Sequence, residues 1–180
     1  MGGQDKGLLA WHGAPLARQA ALRLAPQVGS LRLNANRHAA EYSAWGWPVH
    51  QDDPDLPCAA GPLIGMLTAL RHTAAPWVQV VPCDSPQLPE QLVATLLAAA
   101  IRDQADIAVP TSRGDADAWR HHWTTILVHR RTLPTLEQAV ASGERRVRSW
   151  IAMNRWIGVS FERSAEFMNI NTPEALHATP

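Results

Sequence analysis

The sequence contains few cysteines and no long apolar run, and each absence excludes a class of protein. Cysteine occurs only at Cys58 and Cys83, without a C-x-x-C pair. Neither a disulfide framework nor a zinc site is therefore expected, only two reduced, packed thiols. No run approaches the roughly 18 apolar residues of a membrane span, and the segment Met1–Lys6 lacks the apolar stretch of a secretory signal. These absences predict a soluble, intracellular protein.

An excess of charge of one sign is also missing. Sixteen Lys and Arg residues balance sixteen Asp and Glu residues, with a pI near 7.1. The chain therefore has no overall positive field to hold a nucleic-acid backbone or an anionic membrane. Lys6 is the only lysine, and all other basic residues except histidine are arginine. A single lysine is consistent with a need for a compact ammonium, and equally with a solvated charge near a terminus.

The patterns that are present favour one α/β domain over residues 1–180. With 46% hydrophobic residues, the chain is long enough to bury a sizeable core. Short apolar runs predict strands at Leu31–Leu33, Val78–Val81, Ile107–Val109, Thr125–Val128 and Ile157–Val159. Helical spacing and caps predict helices at Leu16–Leu24, Leu63–Leu70, Leu92–Ala100 and Thr172–His177. Their alternation predicts a mainly parallel sheet between helical layers, with ligands beyond the carboxyl ends of the strands.

Polar residues directly follow three extended segments and should line that edge of the sheet. Asn34 and Asn36 follow Leu33, and their amides suit contacts to a base or ribose, or a helix cap. Asp52 follows another such segment. Asp84 lies between two prolines after a strand, where its carboxylate could hold Mg²⁺ or serve only as a turn or cap residue. Magnesium commonly takes one or two protein carboxylates and completes its shell with phosphates and water.

Glycine-rich and basic motifs add candidates for a phosphate site. The run Gly2-Gly3-x-Asp5-Lys6-Gly7 combines permissive backbone with one cation, although it matches no P-loop or dinucleotide fingerprint and could be a flexible tail. Gly61 and Gly65 flank the first turn of a predicted helix, which allows close ligand approach or tight packing. The other candidates are Arg146, in a basic cluster that could bind an anion or face water, and Asn169 and Asn171, whose amides could contact a ligand or simply organise a turn.

The order of these motifs resembles one family. MGGxDKGLL, NANRH, GPLxGML, PCDSP, GERRV and NxNTPExL together resemble molybdenum cofactor guanylyltransferase, MobA, from Met1 to about Leu176. The resemblance implies a three-layer, Rossmann-like nucleotidyltransferase fold and an enzyme that uses Mg²⁺ and GTP to attach GMP to molybdenum-bound molybdopterin, releasing pyrophosphate. The family signature begins with an apolar strand ahead of the matching Met-Gly-Gly, so the first strand is expected to be missing. His122-Trp123-Thr124 also departs from the His-Pro usual in the family.

The resemblance also assigns roles to individual residues. It implies that Lys6 binds phosphate, that Asn34 and Asp52 contact the guanine nucleotide and that Asp84 is the magnesium ligand, with Lys6 and Asp84 catalytic. The positions that match parts of the cleft with less defined roles are Gly61, Gly65, Arg146, Asn169 and Asn171. Molybdenum-insertion or target-enzyme chaperones are expected partners of a cytoplasmic monomer. The alternatives are a related enzyme that uses another nucleotide such as CTP, and a truncated nucleotide-binding module without catalytic activity.

Overall fold

The computed structural model describes residues 5–56, 61–114 and 118–171 together with residue 176. Its α-helices are α1 (Leu16–Leu24), α2 (Ala39–Ser43), α3 (Pro62–Arg71), α4 (Leu92–Arg102), α5 (Leu133–Ala141) and α6 (Val147–Ile151). Its strands are β1 (Ala10–Trp11), β2 (Ala14–Pro15), β3 (Leu33–Asn34), β4 (Val49–His50), β5 (Trp77–Val80), β6 (Ile107–Arg113), β7 (Trp119–His121), β8 (Ile126–His129) and β9 (Trp156–Phe161). Gly2, Gly3, Cys58 and most of the helix predicted at Thr172–His177 lie outside the described residues.

Three of the predicted helices are found nearly where the sequence places them. α1 has the predicted bounds, and its buried face includes Leu16 and Leu24. α3 begins at Pro62, where the missing amide hydrogen of proline costs nothing, and it buries Leu63, Met66, Leu67 and Leu70 on one face. α4 is rich in alanine and leucine, which favour helix, and ends two residues after its predicted end.

The central sheet is mixed, so the prediction of a mainly parallel sheet is wrong. Its order is β5-β8-β6-β7, with β9 also paired to β6. Among the described strands of this sheet only the β6 and β9 pair is parallel, and the other three pairs are antiparallel. β7 pairs with residues 111–113 of β6 and β8 with residues 107–108, so the chain returns along one edge of β6 in two steps. Such a return needs only a short connection, whereas a parallel pair needs a long crossover.

Helices cover both faces of this sheet, which confirms the three-layer α/β fold. Side chains alternate along a strand, and in β6 Ile107 and Val109 join the core formed with α3, α5 and α6. Ala108 points to the opposite face and joins the core formed with α4. No helix in the described ranges is both long and apolar enough to cross a membrane.

A groove of about 840 Å³ separates the central sheet from a second, small sheet. β3 and β4 form that small sheet as a parallel pair, and β5 is the end strand of the central one. Residues of β3, β5 and α1 line the groove between the two sheets. Among the described strands, β3 pairs only with β4, and β5 pairs only with β8.

Candidate active site

The first cluster joins three residues that are far apart in the sequence. The Lys6 Nζ atom donates to the Asp84 carboxylate and to the Asn171 side-chain oxygen. Asp84 follows β5, and Lys6 opens a 3-10 turn, Lys6–Leu8, whose amino end is capped by the Asp5 carboxylate. The side chain of Asp84 is only 12% exposed and that of Lys6 is 29% exposed. A cation and an anion therefore meet in a largely desolvated position, where electrostatic interactions are stronger than in water.

Asp84 has one carboxylate oxygen that takes no part in this ion pair. Oδ2 accepts from Lys6, whereas Oδ1 is buried and has no hydrogen-bond partner. An unpaired buried carboxylate oxygen is costly, and a hard cation is a ligand that would satisfy it. No group of three or more His, Cys, Asp or Glu side chains in the described ranges could hold a metal. A divalent ion at Asp84 would therefore complete its shell with phosphate oxygens and water, as magnesium commonly does.

The segment from Asn169 to Asn171 is fixed against Asp84 by backbone and side-chain contacts. The Ile170 amide donates to the Asp84 carbonyl over 3.0 Å, and the Ser85 hydroxyl donates to the Asn169 side-chain oxygen over 2.8 Å. Ile170 is fully buried and packs with Trp11 and Leu16. These contacts anchor Asn171 beside Lys6. The structure thus brings four predicted site residues together: Lys6, Asp84, Asn169 and Asn171.

The second cluster is built around Asp52. Asn34 Nδ2 and Asn36 Nδ2 donate to opposite oxygens of the Asp52 carboxylate, over 2.7 and 2.6 Å. The Asn36 side-chain oxygen also accepts from the Asp52 amide over 2.8 Å. This arrangement follows from the parallel pairing of β3 with β4, because the two strands end side by side. The motif resemblance did not assign the hydrogen bonds between Asn36 and Asp52. The position of Asn36 after a strand nevertheless indicated that it could lie at the site.

Gly65 gives this second cluster its room. A Cβ atom at Gly65 would lie 3.2 Å from Asn34 Nδ2 and 3.9 Å from Asp52 Oδ1. Glycine therefore allows the amide and carboxylate to approach the first turns of α3. Asn34 and Gly65 line one part of the groove, and Asp5 and Cys83, the neighbours of Lys6 and Asp84, line another. Cys83 is free but exposed, so the expectation of a packed thiol is wrong at this position.

Gly61 lies against the backbone of Arg145, the residue before Arg146. Gly61 has φ +61°, a conformation that L side chains rarely adopt, and its nearest non-neighbouring atom is the Arg145 carbonyl oxygen. Arg146 is the exposed residue that precedes α6, and its amide donates to the Glu144 carboxylate over 2.8 Å. Within the described residues no hydrogen bond joins Arg146 to Lys6 or Asp84. Its proposed contact with an anionic substrate stays a prediction.

The turn that carries Lys6 depends on a contact that the sequence did not reveal. The Asp5 carboxylate accepts from the Gly7 amide over 3.0 Å and from the Tyr42 hydroxyl over 2.8 Å. Burial, together with the bond to Asp5, raises the pKa of Tyr42 well above its ordinary value. A Cβ atom on Gly7 would overlap the Tyr42 hydroxyl, so only glycine fits there.

Relatives of known name match nearly the whole chain. Residues 1–159 match the family described as "MobA-like NTP transferase domain". The molybdenum cofactor guanylyltransferase of Cupriavidus necator is 42% identical over 176 residues, which cover 98% of this chain and 87% of the relative. The Bordetella petrii protein of the same name is 40% identical over 180 residues, covering 100% of this chain and 90% of the relative.

Solved structures share the fold at low sequence identity. Molybdopterin-guanine dinucleotide biosynthesis protein A from Archaeoglobus fulgidus superposes with a TM-score of 0.76 at 18% identity, covering 97% of this chain and 88% of that one. 2-C-methyl-D-erythritol 4-phosphate cytidylyltransferase from Thermus thermophilus gives a TM-score of 0.73 at 17% identity, covering 96% and 90%. With these folds and the relatives above, the chain belongs to the MobA-like NTP transferase family and is a nucleotidyltransferase.

Proposed function

We propose that this protein transfers GMP from GTP to molybdenum-bound molybdopterin, forming the guanine dinucleotide cofactor and pyrophosphate. The observation that carries the proposal is the pairing of Lys6 with an Asp84 carboxylate that keeps one buried oxygen free. A positive charge beside a free hard ligand suits the phosphates of a nucleotide and the ion that accompanies them. The relatives named molybdenum cofactor guanylyltransferase support this choice of substrates.

The Asp52 cluster supports guanine as the base. Guanine presents the N1–H and N2–H₂ donors on one edge, and a carboxylate accepts both, whereas adenine offers a different pattern. Each oxygen of Asp52 already accepts one amide hydrogen, from Asn34 or Asn36, and retains lone pairs for a ligand. The two amides would hold the carboxylate in one orientation before the nucleotide arrives, which lowers the ordering cost of binding.

Nucleotidyltransferases of this kind generally use a divalent metal ion. We propose that the ion is Mg²⁺ and that Asp84 is the protein residue that holds it. When bound, the ion would draw charge from the phosphate oxygens of the nucleotide and so favour displacement at phosphorus. The unpaired, buried Oδ1 atom of Asp84 fits this role.

The chain's own residues would position the reactants rather than move a proton. A phosphate monoester has a second pKa of about 6, so the terminal phosphate of molybdopterin is mostly dianionic at neutral pH and needs no general base. It attacks the α-phosphorus of GTP in line, the bond to the β-phosphate oxygen breaks, and pyrophosphate leaves. Lys6 would offset negative charge on the phosphates, and Asn171 would hold the ammonium in place from its other side.

The test is nucleotide-dependent pyrophosphate release with molybdenum-molybdopterin as acceptor. The purified chain should release pyrophosphate with Mg²⁺ and GTP, much less with CTP, and not without acceptor. Asp84→Ala should lower turnover by at least about 10²-fold. A preference for CTP would show that CTP, not GTP, is the nucleotide donor. Nucleotide binding without pyrophosphate release would show that the protein is a nucleotide-binding module without catalytic activity. Copurification with molybdenum-insertion or target-enzyme chaperones, elution as a monomer and a cytoplasmic location are further expectations of the proposal.

A further inference from the structure

The loop that carries Asp52 is attached to a second group of charged residues on its other side. Whereas Asp52 is bound by Asn34 and Asn36, the next residue, Asp53, is bound by the end of α3. The Asp53 carboxylate accepts from His72 Nε2 over 2.7 Å and from Arg71 Nη1 over 3.2 Å. Asp52 and Asp53 therefore have entirely different partners. Because the two residues are adjacent in the backbone, the contacts of one limit the movement of the other.

The Asp53 backbone is held as well as its side chain. The Asp53 amide donates to the hydroxyl of Thr68, a buried residue of α3, over 3.3 Å. The Asp53 side chain is 15% exposed, the least exposed acidic side chain in this group. The hydrogen bond from His72, followed by that from Arg71, lowers the pKa of Asp53, so the carboxylate is ionised near neutral pH. The loop is thus fixed to the end of α3 through three atoms of Asp53, its amide nitrogen and both carboxylate oxygens.

Arg71 connects this attachment to a further helix. Its guanidinium contacts Asp53 and Asp55 over 3.2 Å each, and its Nε atom donates to Glu137 of α5 over 3.1 Å. A planar guanidinium offers donors in several fixed directions, which the ammonium of lysine cannot do. Arg71 therefore joins the loop, α3 and α5 in one arrangement.

We propose that Asp53, Arg71 and His72 form a positioning cluster that fixes Asp52 for recognition of the nucleotide base. The proposal rests on the function proposed above, in which the Asp52 carboxylate accepts hydrogen bonds from guanine. None of the three needs to touch the nucleotide, because they act through the backbone of the Asp52 loop. Ion pairs that are partly exposed contribute little to folding stability, whereas a shift of about 1 Å in a binding group has a large effect on its ligand. The effect of breaking this cluster should therefore appear in base recognition.

The experiment compares GTP with ITP, which lacks the 2-amino group of guanine. Calorimetry with Mg²⁺ gives the Kd of each nucleotide, and steady-state assays give kcat. Asp53→Asn and Arg71→Gln should raise the Kd for GTP by about 10-fold and reduce the preference for GTP over ITP, with kcat at saturating GTP nearly unchanged. His72→Gln, a milder change at a half-exposed side chain, should have a smaller effect in the same direction.

Asp106→Asn is the matched control. The Asp106 side chain is 13% exposed, close to the value for Asp53, and it is bound by two arginines, Arg131 and Arg155. β5 and β6 are both antiparallel to β8 and therefore run in the same direction. Asp106, before β6, and Asp84, after β5, thus lie at opposite ends of the strands. This variant should lose a comparable charge cluster and keep the preference for GTP.

The outcomes separate the two proposals. A wild-type protein that shows no preference for GTP would overturn the proposed function and, with it, this inference. A wild-type preference that survives in Asp53→Asn, Arg71→Gln and His72→Gln would overturn only the positioning cluster. An equal loss of preference in Asp106→Asn would also overturn it, because the effect would then be general destabilisation. Urea unfolding of every variant checks that each one is folded.

Discussion

Lys6 and Asp84 form an ion pair although 78 positions separate them in the sequence. The contact unites the turn near the start of the described chain with the loop after β5, and Asn171 closes it from the third side. The carboxylate of Asp84 is bound by lysine through one oxygen and left unpaired at the other. This asymmetry, an unpaired buried oxygen beside an ammonium group, is the basis of the proposed metal site and of the proposed reaction.

Lys6→Arg tests whether a compact ammonium is required. A guanidinium keeps the charge but is larger and planar, so it cannot replace Nζ between Asp84 and Asn171. We expect kcat of Lys6→Arg to fall by about 10-fold or more in pyrophosphate-release assays, and kcat of Lys6→Gln to be lower still. Wild-type activity in Lys6→Arg with loss only in Lys6→Gln would show that charge alone is needed.

Gly65→Ala should change stability and nucleotide affinity in opposite directions. Alanine favours a helix interior by about 0.5–1 kcal/mol over glycine, so α3 should gain stability. The added Cβ atom, however, would lie 3.2 Å from Asn34 Nδ2 and displace it from Asp52. We expect a GTP Kd that is higher by about 3- to 10-fold, measured by calorimetry.

A double-mutant cycle checks the cause of this effect. In an Asn34→Ala background, Gly65→Ala should leave the GTP affinity nearly unchanged, because the displaced amide is already absent. An additive loss of affinity would mean that Gly65 acts by another route.

His122→Gln should remove a pH-dependent part of the folding stability. His122 lies between β7 and β8, where its ring stacks on Phe167 with centroids 4.4 Å apart and Nε2 lies 2.8 Å from the Ser112 hydroxyl. Burial, with the charges of Arg120 and His121, lowers its pKa from 6.5 to about 4. Between these values the unfolded chain binds a proton that the folded chain does not, so the free energy of unfolding should decrease as the pH falls.

Urea unfolding near pH 7 and near pH 5 measures this contribution. The wild-type protein should lose about 1–2 kcal/mol more than His122→Gln between these two conditions. Equal decreases in the free energy of unfolding of both proteins would mean that a group other than His122 causes the acid sensitivity. His122→Gln should also keep GTP affinity near neutral pH, because the residue packs against the core rather than the site.

Local patterns predicted the helices better than the sheet. The spacing of Leu63, Met66, Leu67 and Leu70 is itself the pattern of a helix face, and α3 is found there. α5 is not among the predicted helices, although Leu133, Leu136 and Val140 have helical spacing and Pro134 lies in the first turn. The antiparallel pairing of β7 and β8 with β6 could not be predicted from the sequence. Trp119–His121 lacks an apolar run, and its pairing with β6 is non-local.

The sequence pointed to the residue types of the candidate site but not to their contacts. Polar residues after strands pointed to Asn34, Asp52 and Asp84, and the parallel pairing of β3 and β4 explains why two of them meet. The attachment of Asp53 to His72 and Arg71 depends on how the loop packs against the end of α3. No spacing rule encodes that contact, because it arises only when the tertiary structure forms.

Binding of Mn²⁺, as a paramagnetic substitute for Mg²⁺, tests the role of Asp84 most directly. Electron paramagnetic resonance should show that the wild-type protein immobilises the Mn²⁺–GTP complex, and that Asp84→Ala leaves the spectrum close to that of Mn²⁺–GTP without protein. Asp106→Asn should behave like the wild-type protein. Equal immobilisation of Mn²⁺ by wild-type protein and Asp84→Ala would contradict the assignment of this carboxylate as the metal ligand.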